Sequence, residues 1–125
     1  MEGVCMETKS GPLEGLVVVE LGDYVAMPAS SRVLGEMGAT VYKIETLKGN
    51  LHRGDGPGFG MPELGYDNPA FDMSNANKKF LSIDMKTDEG RELVEKLLDK
   101  AHVFITNLRN PSLARLGYDY ETLHA

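Results

Sequence analysis

The sequence has 125 residues, a formal net charge of −6 and a single cysteine, and these values exclude several classes of protein. The acidic balance argues against a nucleic-acid partner, although a local cluster of Lys, Arg and backbone N–H groups is enough for one anionic ligand. No run of about eighteen apolar residues occurs, so we expect no transmembrane helix and no membrane partner. Because Cys5 cannot form a disulfide within the chain, we expect a cytoplasmic protein.

The first part of the chain predicts a β-α-β unit behind a flexible leader, residues 1–12, with one domain over residues 13–125. The apolar run Leu16–Leu21 is typical of a strand that is buried on both faces. The pattern over Met27–Met37 predicts a helix, and Thr40–Ile44 predicts a second strand. Two strands joined by a helical crossover are expected to be parallel.

A long irregular stretch rich in glycine, residues 45–68, follows the second predicted strand. Its Gly54–Gly60 run neither follows a strand nor opens a helix, which argues against a nicotinamide or flavin site. A flexible lid and a surface loop without a role are the two remaining interpretations.

The segment Phe71–Lys86 places two asparagines and two lysines before a third strand, predicted over Leu81–Met85. These four residues fit either a site for an anionic ligand or a polar turn that only leads into the strand; they are Asn75, Asn77, Lys78 and Lys79.

The last part of the chain predicts a second βα unit and two short helices. Thr87 is the predicted N-cap of a helix over Asp88–Lys100, and His102–Thr106 predicts a fourth strand. Short helices are predicted over Ser112–Leu116 and Tyr120–His124.

The element order predicts an α/β fold with a Rossmann-like parallel sheet flanked by helices. Ligands of such sheets bind beyond the carboxyl ends of the strands, which here carry residues 22–24, 45–47 and 107–109. No metal site is expected, because the three histidines are far apart and lack a nearby cysteine; His52, His102 and His124 are interpreted as surface, loop or structural residues. Ser30 and Ser31 lie in a helical pattern without a nucleophile elbow.

Three blocks of sequence together resemble the N-terminal portion of family III CoA-transferases, the CaiB/BaiF class. They are LEGLVVVELGDYVAMPASSRVLGEMGATVYKIE, FDMSNANKKFLSIDMKTDEGRELVEKLL and AHVFITNLRNPSLARLGYDYETL. The phrases FDMSNANKK and VFITN look most similar to the branch that acts on 2-hydroxyacyl groups, such as the 2-hydroxyisocaproate and phenyllactate CoA-transferases.

The resemblance implies transfer of CoA between an acyl-CoA and a carboxylic acid through an aspartyl-CoA thioester, with no metal. It implies CoA contacts at Val25, Ala26, Thr46, Ile83, Asp84, Met85, Lys86, Asn107, Leu108, Arg109 and Arg115. Lys86, Arg109 and Arg115 suit the phosphates of CoA. Three positions depart from the usual family pattern: Val25, Thr46 and Leu108.

The resemblance also implies that the catalytic aspartate lies beyond residue 125, so this chain would be an N-terminal fragment of the large domain without a catalytic residue. Relatives form interlocked homodimers, and uncovered apolar faces would favour association of the fragment. A non-catalytic Rossmann-like module that binds a nucleotide or a partner is the alternative.

Overall fold

The computed structural model describes residues 11–55, 57–60 and 68–125, and these form a parallel sheet flanked by helices. The strands are β1 (Val17–Leu21), β2 (Thr40–Glu45), β3 (Lys78–Ser82) and β4 (Val103–Thr106), in the order β3-β2-β1-β4. The α-helices are α1 (Ala26–Glu36), α2 (Pro69–Asn75), α3 (Asp88–Leu98), α4 (Asn110–Leu116) and α5 (Tyr120–His124). This architecture confirms the predicted α/β fold.

The two faces of the sheet are covered by different sets of apolar side chains because successive strand residues point in opposite directions. On one face Val19 and Ile44 join Val94 of α3 and Leu113 of α4 in the larger core. On the other face Val18 packs with Ala39 and Val41, and Leu34 of α1 lies against them. The four residues Val18–Leu21 are all buried, as predicted for a strand covered on both faces.

Helix α3 begins where the sequence predicts, because Thr87 caps its first turn. The Thr87 side-chain oxygen accepts a hydrogen bond from the Gly90 backbone N–H at 3.1 Å. Asp119 caps α5 in the same way and accepts from the Thr122 N–H at 3.1 Å. Polar caps of this kind satisfy donors that a helix start leaves free.

Helix α2 was not predicted, and the stretch expected to be structureless contains two short 3-10 helices, Leu51–Gly54 and Pro57–Phe59. The missed signal is Asn68-Pro69: the Asn68 side chain accepts from the Phe71 N–H at 3.1 Å, and Pro69 occupies the first helical position. Residues 56 and 61–67 lie outside the described residues, so the lid interpretation stays a prediction.

The third strand lies earlier than predicted: β3 covers Lys78–Ser82, and the prediction of Leu81–Met85 was wrong. The two lysines at the start of β3 are unusual in a strand beside an apolar core, but each has a partner, and lysines are common on edge strands. Lys78 donates to Glu20 on one face of the sheet, and on the other face the Lys79 ammonium lies 5.4 Å from the centre of the Tyr42 ring.

The chain before β1 packs against the turn between α1 and β2. A Cβ on Gly11 would overlap the Met37 carbonyl oxygen, and the Leu13 N–H donates to that oxygen at 2.9 Å. Gly38, with φ of +104°, makes room for this close approach. Residues 1–10 lie outside the described part, so the leader and the boundary at residue 12 stay predictions.

Within residues 11–55, 57–60 and 68–125, every helix is too short or too polar to cross a lipid bilayer.

Candidate functional site

A cleft of about 520 Å³ opens at the carboxyl ends of β1 and β2. The connections after β1, β2, β3 and β4 contribute to it, as expected for a parallel sheet. Its lining consists of Leu21, Gly22, Asp23, Ile44, Glu45, Thr46, Lys48, Gly49, Asn50, Leu51, Arg53, Gly54, Met85 and Leu108. This wall combines apolar side chains with two cations, Lys48 and Arg53, and two carboxylates, Asp23 and Glu45, so it offers both apolar contacts and a positive charge to a ligand.

Three of the residues assigned to CoA binding from the sequence meet in this cleft: Thr46, Met85 and Leu108. They come from three different connections, those after β2, β3 and β4. Thr46 is exposed, whereas Met85 and Leu108 are half-buried and pack against the larger core. The cleft therefore has apolar side chains on the β3 and β4 side.

The remaining assigned residues lie around the cleft rather than in its wall, as far as the described residues show. Val25 is half-buried and Ala26 exposed at the start of α1, and Asn107 lies after β4. Ile83 is 8% exposed and belongs to the larger core, so only its backbone can face a ligand. Asp84 accepts from the Lys86 N–H at 3.0 Å and shapes the turn before α3.

The three cations assigned to the CoA phosphates are exposed, and the described wall of the cleft includes none of them. Lys86 lies between β3 and α3, and Arg109 is the N-cap residue of α4. Arg115, further along α4, donates to the Pro111 carbonyl at 3.2 Å. All three are accessible to solvent.

Two cations of the cleft wall were missed by the sequence reading, Lys48 and Arg53. Arg53 forms a bidentate ion pair with Glu45, at 2.8 and 3.0 Å, and its guanidinium lies 4.1 Å from the centre of the Phe71 ring. Lys48 is exposed, and no ion pair of Lys48 is found among the described residues. Lys48 is thus the wall cation best able to meet an incoming anion.

The turn from β1 into α1, residues 22–28, contributes Gly22 and Asp23 to the wall of the cleft and is held by several side chains. Asn107 accepts from the Asp23 N–H at 3.0 Å and donates to the Asp23 carbonyl at 2.9 Å. Asn50 donates to the Gly22 carbonyl at 3.0 Å. Tyr24 has φ of +61°, a left-handed conformation that costs free energy for a residue other than glycine.

A buried cluster of charges lies behind this turn, on the α1 face of the sheet. The Glu20 carboxylate accepts hydrogen bonds from Lys43, Lys78 and Ser31. The side chains of the two lysines and of Glu20 are fully buried. We call Glu20, Ser31, Lys43 and Lys78 the buried cluster.

Burial and neighbouring charges shift two pKa values in the buried cluster. Burial raises the pKa of Glu20, but the attraction and hydrogen bonds of the two lysines outweigh burial and leave it lowered. Burial lowers the pKa of Lys78 to about 8, because Glu20 compensates only part of the lost hydration.

His52 was interpreted as a surface or loop residue; it lies in the 3-10 helix Leu51–Gly54 after β2 and is fully buried, which contradicts the surface alternative. Its ring lies between those of Tyr24 and Phe71, with centroid distances of 6.0 and 6.4 Å. The Asn68 side chain donates to the His52 carbonyl at 2.7 Å, which links the start of α2 to the 3-10 helix Leu51–Gly54.

The structural role expected for His102 has a clear basis. The ring Nδ1 of His102 accepts a hydrogen bond from the Val17 backbone N–H at 3.1 Å, and the His102 backbone N–H donates to the Val17 carbonyl at 2.9 Å. No group of three or more His, Cys, Asp or Glu residues with metal-binding geometry occurs in the part of the chain that the structure describes.

A second cleft, of about 730 Å³, lies beside β4. It is mostly apolar, with Phe104, Leu113, Tyr118 and Leu123 in its wall. Arg115 lies on α4, the helix that contributes Pro111, Leu113 and Ala114 to this wall.

Residues 13–125 match the family model described as CoA-transferase family III. The chain belongs to this family. The match covers nearly the whole chain, and it confirms the resemblance carried by the three sequence blocks.

Named relatives agree with this assignment. The chain is 41% identical over 111 residues to (R)-2-hydroxy-4-methylpentanoate CoA-transferase of Clostridioides difficile. This alignment covers 89% of the chain and 28% of the relative. The chain is also 36% identical over 118 residues to cinnamoyl-CoA:phenyllactate CoA-transferase of Clostridium sporogenes. That alignment covers 94% of the chain and 29% of the relative.

Solved structures show the same fold. A CaiB/BaiF family protein from Brucella suis superimposes with a TM-score of 0.79 at 36% identity, over 92% of this chain and 30% of that protein. The chain therefore spans less than a third of the length of these family members.

Proposed function

We propose that this chain forms the N-terminal, CoA-binding part of a CoA-transferase that moves CoA between an acyl-CoA and a carboxylic acid. The observation that carries the proposal is the cleft at the carboxyl ends of β1 and β2, which brings together Thr46, Met85 and Leu108 from separate connections. Family membership supports the choice of CoA among elongated anions.

The chemistry of the surrounding side chains fits the parts of CoA. Met85 and Leu108 offer an apolar surface to adenine or pantetheine, and Lys48 offers a charge to a phosphate. Lys86, Arg109 and Arg115 are exposed outside the described wall of the cleft and are proposed to contact phosphates that extend beyond it. Val25, Ala26, Asp84 and Asn107 are proposed to border the ligand.

The proposed acyl groups are those of 2-hydroxy acids, because the names of both clostridial relatives include a 2-hydroxy acid. Transfer through an aspartyl-CoA thioester needs an aspartate that the resemblance places beyond residue 125. We therefore propose that residues 1–125 bind CoA without transferring it, that the active protein is a cytoplasmic homodimer, and that an assay of CoA transfer by this chain alone gives no turnover.

The binding proposal is tested by calorimetric titration of the chain with CoA. Reversing one wall charge with Lys48→Glu is expected to weaken binding about tenfold, since a charge-assisted contact is replaced by repulsion. Lys100→Glu makes the same charge change at an exposed site after α3 and is the matched control, with unchanged affinity expected.

Arg109→Ala and Arg115→Ala are expected to weaken binding by a similar factor. Failure of the unmodified chain to bind CoA at millimolar concentration would contradict the proposal and favour the alternative, a non-catalytic module that binds another nucleotide or a protein partner.

A further inference from the structure

We infer that Lys43 and Lys78 are positioning residues, whose buried ammonium groups hold the two ends of the β1–α1 turn and thereby set the affinity for CoA without touching it. This inference rests on the proposed function, because CoA is the ligand whose affinity is concerned. It gives a reason for two buried lysines in strands whose other buried residues are mostly apolar.

The first end of the turn is held at Gly22. The Lys43 ammonium donates to the Gly22 carbonyl at 2.9 Å, and the Asn50 amide donates to the same oxygen at 3.0 Å. A carbonyl that accepts two donors, one of them charged, has little freedom to rotate. Since Gly22 lines the cleft, this contact fixes the position of the cleft wall where β1 ends.

The second end of the turn is held at Pro28, in the first turn of α1. The Lys78 ammonium donates to the Pro28 carbonyl at 2.7 Å, and the Ser31 hydroxyl donates to the same oxygen at 3.0 Å. Lys78 also donates to the Asn75 side chain at 2.9 Å, which links this end to α2.

Both lysines share one carboxylate, so the two ends of the turn are coupled. Lys43 contacts Oε1 of Glu20, and Lys78 contacts Oε2 of the same residue at 2.7 Å. Glu20, Lys43 and Lys78 lie on β1, β2 and β3, three adjacent strands. Through these contacts the turn is tied to three strands of the sheet.

The turn needs such support because its backbone is strained at Tyr24, which has φ of +61°. A residue other than glycine keeps such a left-handed conformation only where surrounding contacts hold it. Val25 and Ala26, both proposed to border CoA, directly follow Tyr24. If the ends of the turn relaxed, these two residues would lose the placement that the ligand requires.

Direct contact between these lysines and CoA is excluded by burial. The side chains of Lys43 and Lys78 are both 0% exposed, and their ammonium groups already donate to Glu20 and to backbone carbonyls. A lysine that contacts a phosphate has to present its ammonium group to solvent before the ligand arrives.

The test compares Lys43→Met and Lys78→Met with the unmodified chain. Each variant removes one of two positive charges and leaves Glu20 paired with the other lysine, so neither leaves an unpaired buried charge. Lys96→Met is the matched control, because Lys96 also forms an ion pair, with Glu92 at 2.7 Å, but on the exposed surface of α3. CoA affinity is measured by calorimetry, and amide hydrogen exchange of the free chain is measured in parallel.

The expected result is localised. In both lysine variants the amides of residues 23–26 exchange about tenfold faster and CoA binds about tenfold more weakly, while the amides of β1 and β2 exchange as before. The control matches the unmodified chain in both measurements.

Unchanged affinity in both lysine variants, or faster exchange throughout the strands, would overturn the positioning role. Absence of CoA binding by the unmodified chain would overturn the proposed function and CoA as the ligand. The exchange of residues 23–26 would then still decide whether the lysines hold the turn.

Discussion

At the scale of single residues, Gly90 shows how one position can determine the shape of the proposed site. It lies in the first turn of α3, and its N–H donates to the Thr87 side chain. A Cβ at this position would overlap the Asp84 carbonyl oxygen. Gly90 therefore allows α3 to pack closely against residues 83–86, a segment proposed to contact CoA.

We expect Gly90→Ala to destabilise the chain by about 1–3 kcal/mol, because the added methyl group meets backbone that cannot move freely. Gly35→Ala in α1 is the matched control, since its Cβ would lie at an ordinary 3.4 Å from the Asn77 oxygen and from Val41. There we expect a gain of about 0.5–1 kcal/mol from the better helix former. Chemical denaturation measures both, and equal stability changes would contradict the packing argument.

At the scale of elements, the first three strands hold the buried Glu20 carboxylate between two buried ammonium groups, those of Lys43 and Lys78. Lys78 is the member with the clearest pH response, since burial lowers its pKa to about 8 from an ordinary value of 10.5. The folded chain thus releases the Lys78 proton at a lower pH than the unfolded chain does.

The stability of the unmodified chain relative to Lys78→Met should rise as the pH increases from about 8 to 10.5. In that range the unfolded chain binds more protons than the folded chain, so raising the pH favours folding. Below pH 8 both states hold the proton, and the difference between the two proteins should be constant. Urea denaturation at a series of pH values measures this, and a fall in relative stability across the range would contradict the lowered pKa.

Much of the element order could be predicted from the sequence because it depends on local signals. The Thr87 cap, the β-branched run in β1 and the stripe of α3 each act over a few neighbouring residues. The buried cluster could not be predicted, because Glu20 meets Lys43 and Lys78 across 23 and 58 residues of sequence.

The candidate site was predictable to the extent that the topology determines it. Parallel strands bring their carboxyl ends to one edge, which placed Thr46, Met85 and Leu108 together. Lys48 and Arg53 were not predicted as site residues, because the chain after β2 has no periodicity that shows which side chains face the cleft. β3 was misplaced because its lysines are accommodated by Glu20 and Tyr42, which are distant in sequence.

At the scale of the whole molecule, the described sheet has two open edges, β3 and β4. The edge at β4 borders the second cleft, where Tyr120 is 72% exposed and Leu123 is 43% exposed. Unpaired backbone groups beside an apolar surface favour association between molecules.

We expect light scattering to show an apparent mass that increases with protein concentration. Leu123→Glu should shift the chain toward the monomer, because it places a charge in the apolar wall of the second cleft. Leu93→Glu makes the same change at an exposed position of α3 outside both clefts and should leave association unchanged. A single monomeric mass at all concentrations would contradict this expectation.

The contact of Gly11 with the Met37 carbonyl bears on where this domain can be cut. The family-model match begins at residue 13, yet the Glu14 N–H donates to the Gly11 carbonyl at 3.0 Å. Gly38 lies so close to Gly11 that a side chain on either residue would overlap the backbone of the other turn. A clone that starts at Leu13 would expose that turn, and a fusion tag joined there would put bulky side chains on it. Expression should therefore retain Gly11, two residues before the family-model match starts.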